Sequence, residues 1–146
     1  MKKVLKKLCF IAVLFSLFAC ESKPTEYEYS VTNKLSTYDN IQNQALITDM
    51  IHTIELDNNN IILNKRKIKD LNTNESASFV VSSSVKSVYA VYRFRRMNTN
   101  GSPFSIEYVK TRLYSLSKDN IPIIYLEGSF DNTYLSEEEF YNLINN

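Results

Sequence analysis

Few residues in this chain have the types and spacing that support catalysis or ligand binding. His52 is the one histidine in 146 residues. A metal site built on paired histidines is therefore excluded, and a serine–histidine–aspartate triad would have to use His52. The serines 82 to 84 lie in VVSSSVK. That segment lacks the Gly-x-Ser-x-Gly frame that lifts a nucleophile onto a strand-to-helix elbow. His52 is read as a polar side chain on a strand. Both cysteines, Cys9 and Cys20, lie in the first 20 residues. Beyond them there is no thiol nucleophile, no disulfide and no cysteine-based zinc site. We expect no catalytic residue, no metal and no cofactor, and the chain reads as a non-enzyme.

DLNTNES places Asp70, Asn72 and Asn74 at the first three ligand positions of a calcium loop. Glu75 then occupies the position of the required glycine, and Val81 that of the closing glutamate. The segment is read as an Asx-rich turn. Glu137, Glu138 and Glu139 are consecutive, so on a helix they diverge instead of pairing as acid and base. Two basic stretches remain, KRKIK with Lys65, Arg66 and Lys67, and RFRR with Arg93, Arg95 and Arg96. If their strands pair, these six form a patch for anionic glycan or lipid headgroups, with nearby Tyr and Phe to stack on sugar rings. The competing reading is solvated strand faces, with lysine protecting a sheet edge.

The first 19 residues have a different composition. MKKVLKK is basic, and Leu8 to Ala19 is an apolar run of 12 residues. As a helix the run would span ~18 Å, well short of the ~20 residues needed to cross a bilayer. It reads as a secretory signal. LFAC, ending at Cys20, resembles the lipobox of bacterial lipoprotein precursors. Leu17, Ala19 and Cys20 match, and Phe18 stands where a small residue is usual. The resemblance implies cleavage before Cys20 and its acylation with diacylglycerol and palmitate-type chains, which together hold a protein stably to a membrane. Glu21 stands where aspartate would retain such a protein in the inner membrane, so the expected location is the outer membrane of a bacterial envelope. Four of the 17 Lys+Arg precede Cys20, leaving 13 against 16 Asp+Glu. A net charge near −3 gives no whole-domain attraction to nucleic acid.

The elements that must position any site read as strands. Residues 21–25, ESKPT, form a polar tether. EYEYSVT at 26–32 alternates, with Tyr27, Tyr29 and Val31 on one face. Strands are expected near 40–48 and 51–57, with Leu46, Met50, Ile54 and Leu56 on a shared face; a helix over the first segment remains the alternative. Further strands are expected in IILNKRKIKDL, at 77–83, 86–96 and 104–116, and within 121–134. In the 86–96 strand Val88, Ala90, Tyr92 and Phe94 face one way, and Tyr89, Val91, Arg93 and Arg95 the other. With only two glycines, asparagine has to serve the left-handed turn positions. LSEEEFYNLINN gives a helix over 136–145, with Ser136 and Glu139 as a capping box and Leu135 and Phe140 as a hydrophobic staple.

Short strands separated by turns indicate a mainly all-β chain. We expect an antiparallel β-sandwich of about seven strands with a short C-terminal helix. The domain layout is signal 1–19, lipidated Cys20 and tether 20–25, and one domain over 26–146. YSVTN, TIEL, NESASF, SVYAVY and TYLSEEEFYN together resemble small envelope lipoproteins with a single immunoglobulin-like or transthyretin-like sandwich. In NES, asparagine stands where such proteins often carry glycine. That resemblance implies the fold and the tether, not an activity. The expected role is non-enzymatic binding or scaffolding at the membrane, with an envelope protein or a glycan as partner and no nucleic acid. An envelope hydrolase is the least favoured class.

Overall fold

The structure, a computed structural model, describes residues 25–35, 38–39, 44–127 and 130–145. The expected signal, Cys20 and the tether as far as residue 24 lie outside them. Among the described residues no helix is long and apolar enough to cross a membrane.

The chain is a two-sheet β-sandwich with one helix on its outer side. The elements are β1 (Glu26–Asn33), β2 (Tyr38–Asp39), β3 (Gln44–Leu56), β4 (Ile62–Lys67), β5 (Ser76–Ser82), β6 (Ser87–Met97), β7 (Pro103–Lys110), β8 (Tyr114–Ser115), β9 (Ile123–Leu126), β10 (Thr133–Leu135) and α1 (Glu137–Asn145). The smaller sheet runs β5-β1-β9. The larger runs β10-β7-β6-β3-β2, with β4 beside β3 and β8 beside β6. All pairs are antiparallel except β1 with β9. Pro122 directly precedes β9, an edge strand, where its missing N–H costs no ladder bond.

The alternation of β1 and β6 fixes the layers. Tyr29 and Val31 of β1 meet Val88, Ala90, Tyr92 and Phe94 of β6 between the sheets. Tyr89 and Val91 point the other way, into a second cluster with Ile54, Leu56, Tyr108 and Phe140 under α1. Ser136 caps α1 as its sequence predicts. Glu139 N donates to Ser136 Oγ at 3.2 Å, and Ser136 N donates back to Glu139 Oε2 at 2.7 Å. Tyr108 OH donates to Glu137 Oε1 at 3.0 Å, which fastens the helix to β7.

Residues 44–56 are one strand instead of two, and its shared face is not the expected one. Asp49 pairs with Arg93 and His52 with Val91, so two residues of β3 oppose one of β6. Met50 takes up the extra residue with a φ of 51°. Such a bulge reverses the parity of the strand. Leu46 therefore packs between the sheets, while Ile54 and Leu56 pack under the helix. The expected strand 104–116 stops at Lys110 for a related reason. Thr111 accepts from Ala90 N with its hydroxyl at 3.0 Å and donates its own N–H to Ala90 O at 2.9 Å. The side chain replaces a ladder carbonyl, and pairing resumes only at Tyr114.

The sandwich has two distinct ends. At the near end, where residue 25 enters, Ser83 N donates to Thr25 O and Lys86 N to Leu56 O. These bonds gather the start of β1, the β5–β6 turn and the β3–β4 hairpin. The far end holds the close of β1, the start of β3 and the β6–β7 turn.

Candidate functional site

The six basic residues are divided by the sheet they stand on. In the register of β4 on β3, Arg66 lies opposite Thr53, while Lys65 and Lys67 lie opposite Ile54 and His52. Arg66 therefore faces the smaller sheet, and the two lysines face the helix side. On β6, Arg93 and Arg95 share that helix side, and Arg96 faces inward with Phe94. Lys65, Lys67, Arg93 and Arg95 thus share a face, and Arg66 and Arg96 lie on the opposite one.

Three of the arginines meet buried acids. Arg93 donates to Asp49 through Nε at 2.8 Å and NH2 at 3.0 Å, and Arg95 NH2 donates to the same carboxylate. Burial alone would raise the Asp49 pKa. The hydrogen bonds and charges of Arg93 and Arg95 outweigh that and hold it below the usual carboxylate range. Arg66 Nε donates to Glu55 Oε1 at 3.2 Å and stacks over the Phe79 ring at 5.1 Å. Tyr29 OH donates to that same oxygen at 2.8 Å, and Asn64 Nδ2 donates to Oε2 at 3.0 Å. Glu55 is 2% exposed, so this knot lies inside the sandwich. Burial, followed by the hydrogen bond and charge of Glu55, raises the Tyr29 phenol above its ordinary range.

His52 and the turn candidates take local roles. His52 Nδ1 lies 3.0 Å from Met50 O, and Ser84 bonds to Ser82 at the near end. In the Asx turn Glu75 Oε2 accepts from both nitrogens of Asn72, while Asn74 Oδ1 accepts from Lys34 Nζ at 3.2 Å. Asn74 has a φ of 65°.

Arg96 lines a cleft between the two sheets. At the far end a cleft of about 320 Å³ opens where three strands face a wider sheet. Its walls include Lys34 and Glu127 from the smaller sheet side and Tyr92, Arg96, Glu107 and Tyr134 from the larger. Arg96 lies 3.7 Å from Glu107 and over the Phe94 ring. Glu127 O accepts from Tyr92 OH at 3.1 Å and from Asn132 Nδ2 at 2.6 Å, which fixes one wall. Tyr134, a residue 61% exposed, stands at the rim. The volume is at the small end for ligand pockets. Charges of both signs beside an open aromatic face suit a compact, hydroxyl-rich, ring-bearing molecule.

Of these wall residues, sequence reasoning singled out only Arg96 for binding. Lys34, Glu107, Glu127 and Tyr134 come from four separate segments, and no local spacing links them. Glu55 did carry a signal, being an acid between two apolar residues in IEL. No protein family, curated protein or solved structure matches this chain.

Proposed function

We propose that this protein is a lipid-anchored, non-catalytic binding module of a bacterial envelope, which takes a short glycan or a similar polar ring compound in its far-end cleft. The observation that carries the reading is polarity. The chain enters at one end of the sandwich, and the cleft opens at the other. A tether at Cys20 then leaves the cleft facing away from the bilayer. The stacking ring is Tyr134; Arg96 and Lys34 hold acidic or hydroxyl groups, and Glu107 accepts hydroxyls.

Calorimetric titration of the lipidated protein in micelles with neutral and acidic mono- and disaccharides tests the ligand. We expect saturable binding, weakened tenfold or more by Tyr134→Ala and by Arg96→Ala. Binding that neither variant changes would remove the cleft from the reading. Metabolic labelling with a fatty acid tests the anchor, and label that persists in Cys20→Ser would refute it.

A second reading is supported by the helix-side face, where two guanidiniums share the one Asp49 carboxylate. Arg95 Nε is buried with no partner among the described residues. Lys65 and Lys67 stand across β3 from Arg93 and Arg95, so an acidic glycan long enough to cross that strand would engage both sets. Lys67→Glu combined with Arg95→Glu would then abolish retention on anionic arrays, and unchanged retention would dismiss this reading.

A further inference from the structure

We infer that the tip of the β3–β4 hairpin is a membrane-contact element, with Ile61, Ile62 and Leu63 immersed in the interfacial layer of the bilayer that holds the acyl anchor. The inference rests on the lipid-anchor reading of Cys20 and adds an orientation to it.

Three consecutive apolar side chains are exposed at this tip, Ile61 by 60%, Ile62 by 42% and Leu63 by 46%. Isolated apolar residues on a surface need no explanation, but three in succession where the hairpin turn passes into β4 do. The tip is also closed against loss of water. Asp57 N donates to Ile61 O at 3.0 Å and Asn60 N to Asp57 O at 3.2 Å. Asp57 Oδ1 accepts from Asn59 N and Ile61 N, each at 2.8 Å. Asn60 supports this turn with a φ of 61°. A loop that satisfies its own backbone enters a medium poor in water at little cost.

The tip stands at the near end. Lys86 N bonds to Leu56 O at the base of the hairpin, and Ser83 N in the same turn bonds to Thr25 O. Cys20 and Thr25 are five residues apart, so their Cα atoms are at most about 18 Å apart. An acylated Cys20 therefore keeps this end against the bilayer. The contact rests on apolar side chains and does not require anionic lipid.

The chain contains no tryptophan, which allows a direct test. Lipidated Ile62→Trp and Leu63→Trp proteins are reconstituted in phosphatidylcholine vesicles, with Phe104→Trp as the far-end control. Phe104 is 61% exposed at the start of β7. We expect blue-shifted emission and quenching by brominated lipid for both hairpin variants, several-fold stronger than for Phe104→Trp. Equal, weak quenching at all three positions in protein that floats with the vesicles would overturn the contact while leaving the anchor in place. Protein that fails to float would remove the anchor and the inference together. A blue shift that depends on protein concentration but not on brominated lipid would identify a second copy of the chain as the occupant, and would overturn the membrane contact.

Discussion

Two buried acids, Glu55 between the sheets and Asp49 on the helix side, organise the polar clusters of the larger sheet, and both make predictions at the scale of single residues. Glu55 has partners on both carboxylate oxygens, with Tyr29 and Arg66 on one and Asn64 on the other. A buried ion pair adds little over a well-packed apolar replacement, but losing one partner is costly because the other keeps its charge. Arg66 is 35% exposed and can rehydrate, so Glu55→Ala should cost about 2–3 kcal/mol, below the 3–5 of a fully buried pair. Tyr29→Phe should cost about 1 kcal/mol, the worth of one hydrogen bond. Denaturant midpoints at unchanged slope measure both. Asp49 makes a prediction about pH. Folding lowers its pKa, so the unfolded chain binds more protons in the interval between the two values. The stability it contributes is complete above the ordinary carboxyl value near 4 and is lost as pH falls through that value and on through the lower native one. Urea midpoints of the native protein should fall in this acid range, and Asp49→Asn, less stable at pH 7, should show a flatter fall there.

At the scale of elements, local chemistry determines what forms and tertiary pairing determines where it ends. The α1 capping box is complete in four residues, so the sequence alone located the helix to within one residue. Ser136→Ala should lower stability by about 1 kcal/mol, and Phe140→Ala, which empties a fully buried site, by about 3–5 kcal/mol. Thermal or chemical melts distinguish the two sizes. β6 was equally legible, because its alternation matched two different cores, one on each face. β3 was not. Its bulge at Met50 carries no glycine or asparagine to announce it, and one extra residue exchanges the faces of everything that follows. The end of β7 was hidden for a similar reason, since Thr111 looks like any strand residue until its hydroxyl takes the place of a carbonyl opposite Ala90. Asn60 and Asn74 take two of the left-handed positions that the scarcity of glycine leaves to asparagine. The cleft was illegible because its walls meet only after both sheets have closed.

The whole molecule has a direction that no segment encodes, with the chain entry at Thr25 and the apolar hairpin at one end and the cleft at the other. The energetics of that arrangement lead to a prediction about tether length. Burying a Leu or Ile side chain fully is worth about 1.5–3 kcal/mol. The three hairpin residues are each about half exposed, so immersing what remains adds roughly 3 kcal/mol in all. That is too little to recruit a free protein, since even a myristoyl chain alone binds membranes only marginally. Cys20→Ser protein should therefore remain in the supernatant when vesicles are pelleted. Once anchored, the hairpin meets lipid at a high effective concentration, and the same few kcal/mol are enough to orient the domain. Inserting ten Gly/Ser residues after Ser22 triples the tether and dilutes that encounter only about five-fold, a loss of about 1 kcal/mol. Quenching of Ile62→Trp by brominated lipid should then persist at more than half its original strength. If a short tether is all that presses this end to the membrane, the longer one will release it, and quenching will drop to the level of Phe104→Trp. Reversing the charge of the neighbouring Lys86 should leave the result unchanged in phosphatidylcholine, because the contact depends on apolar area and not on headgroup charge.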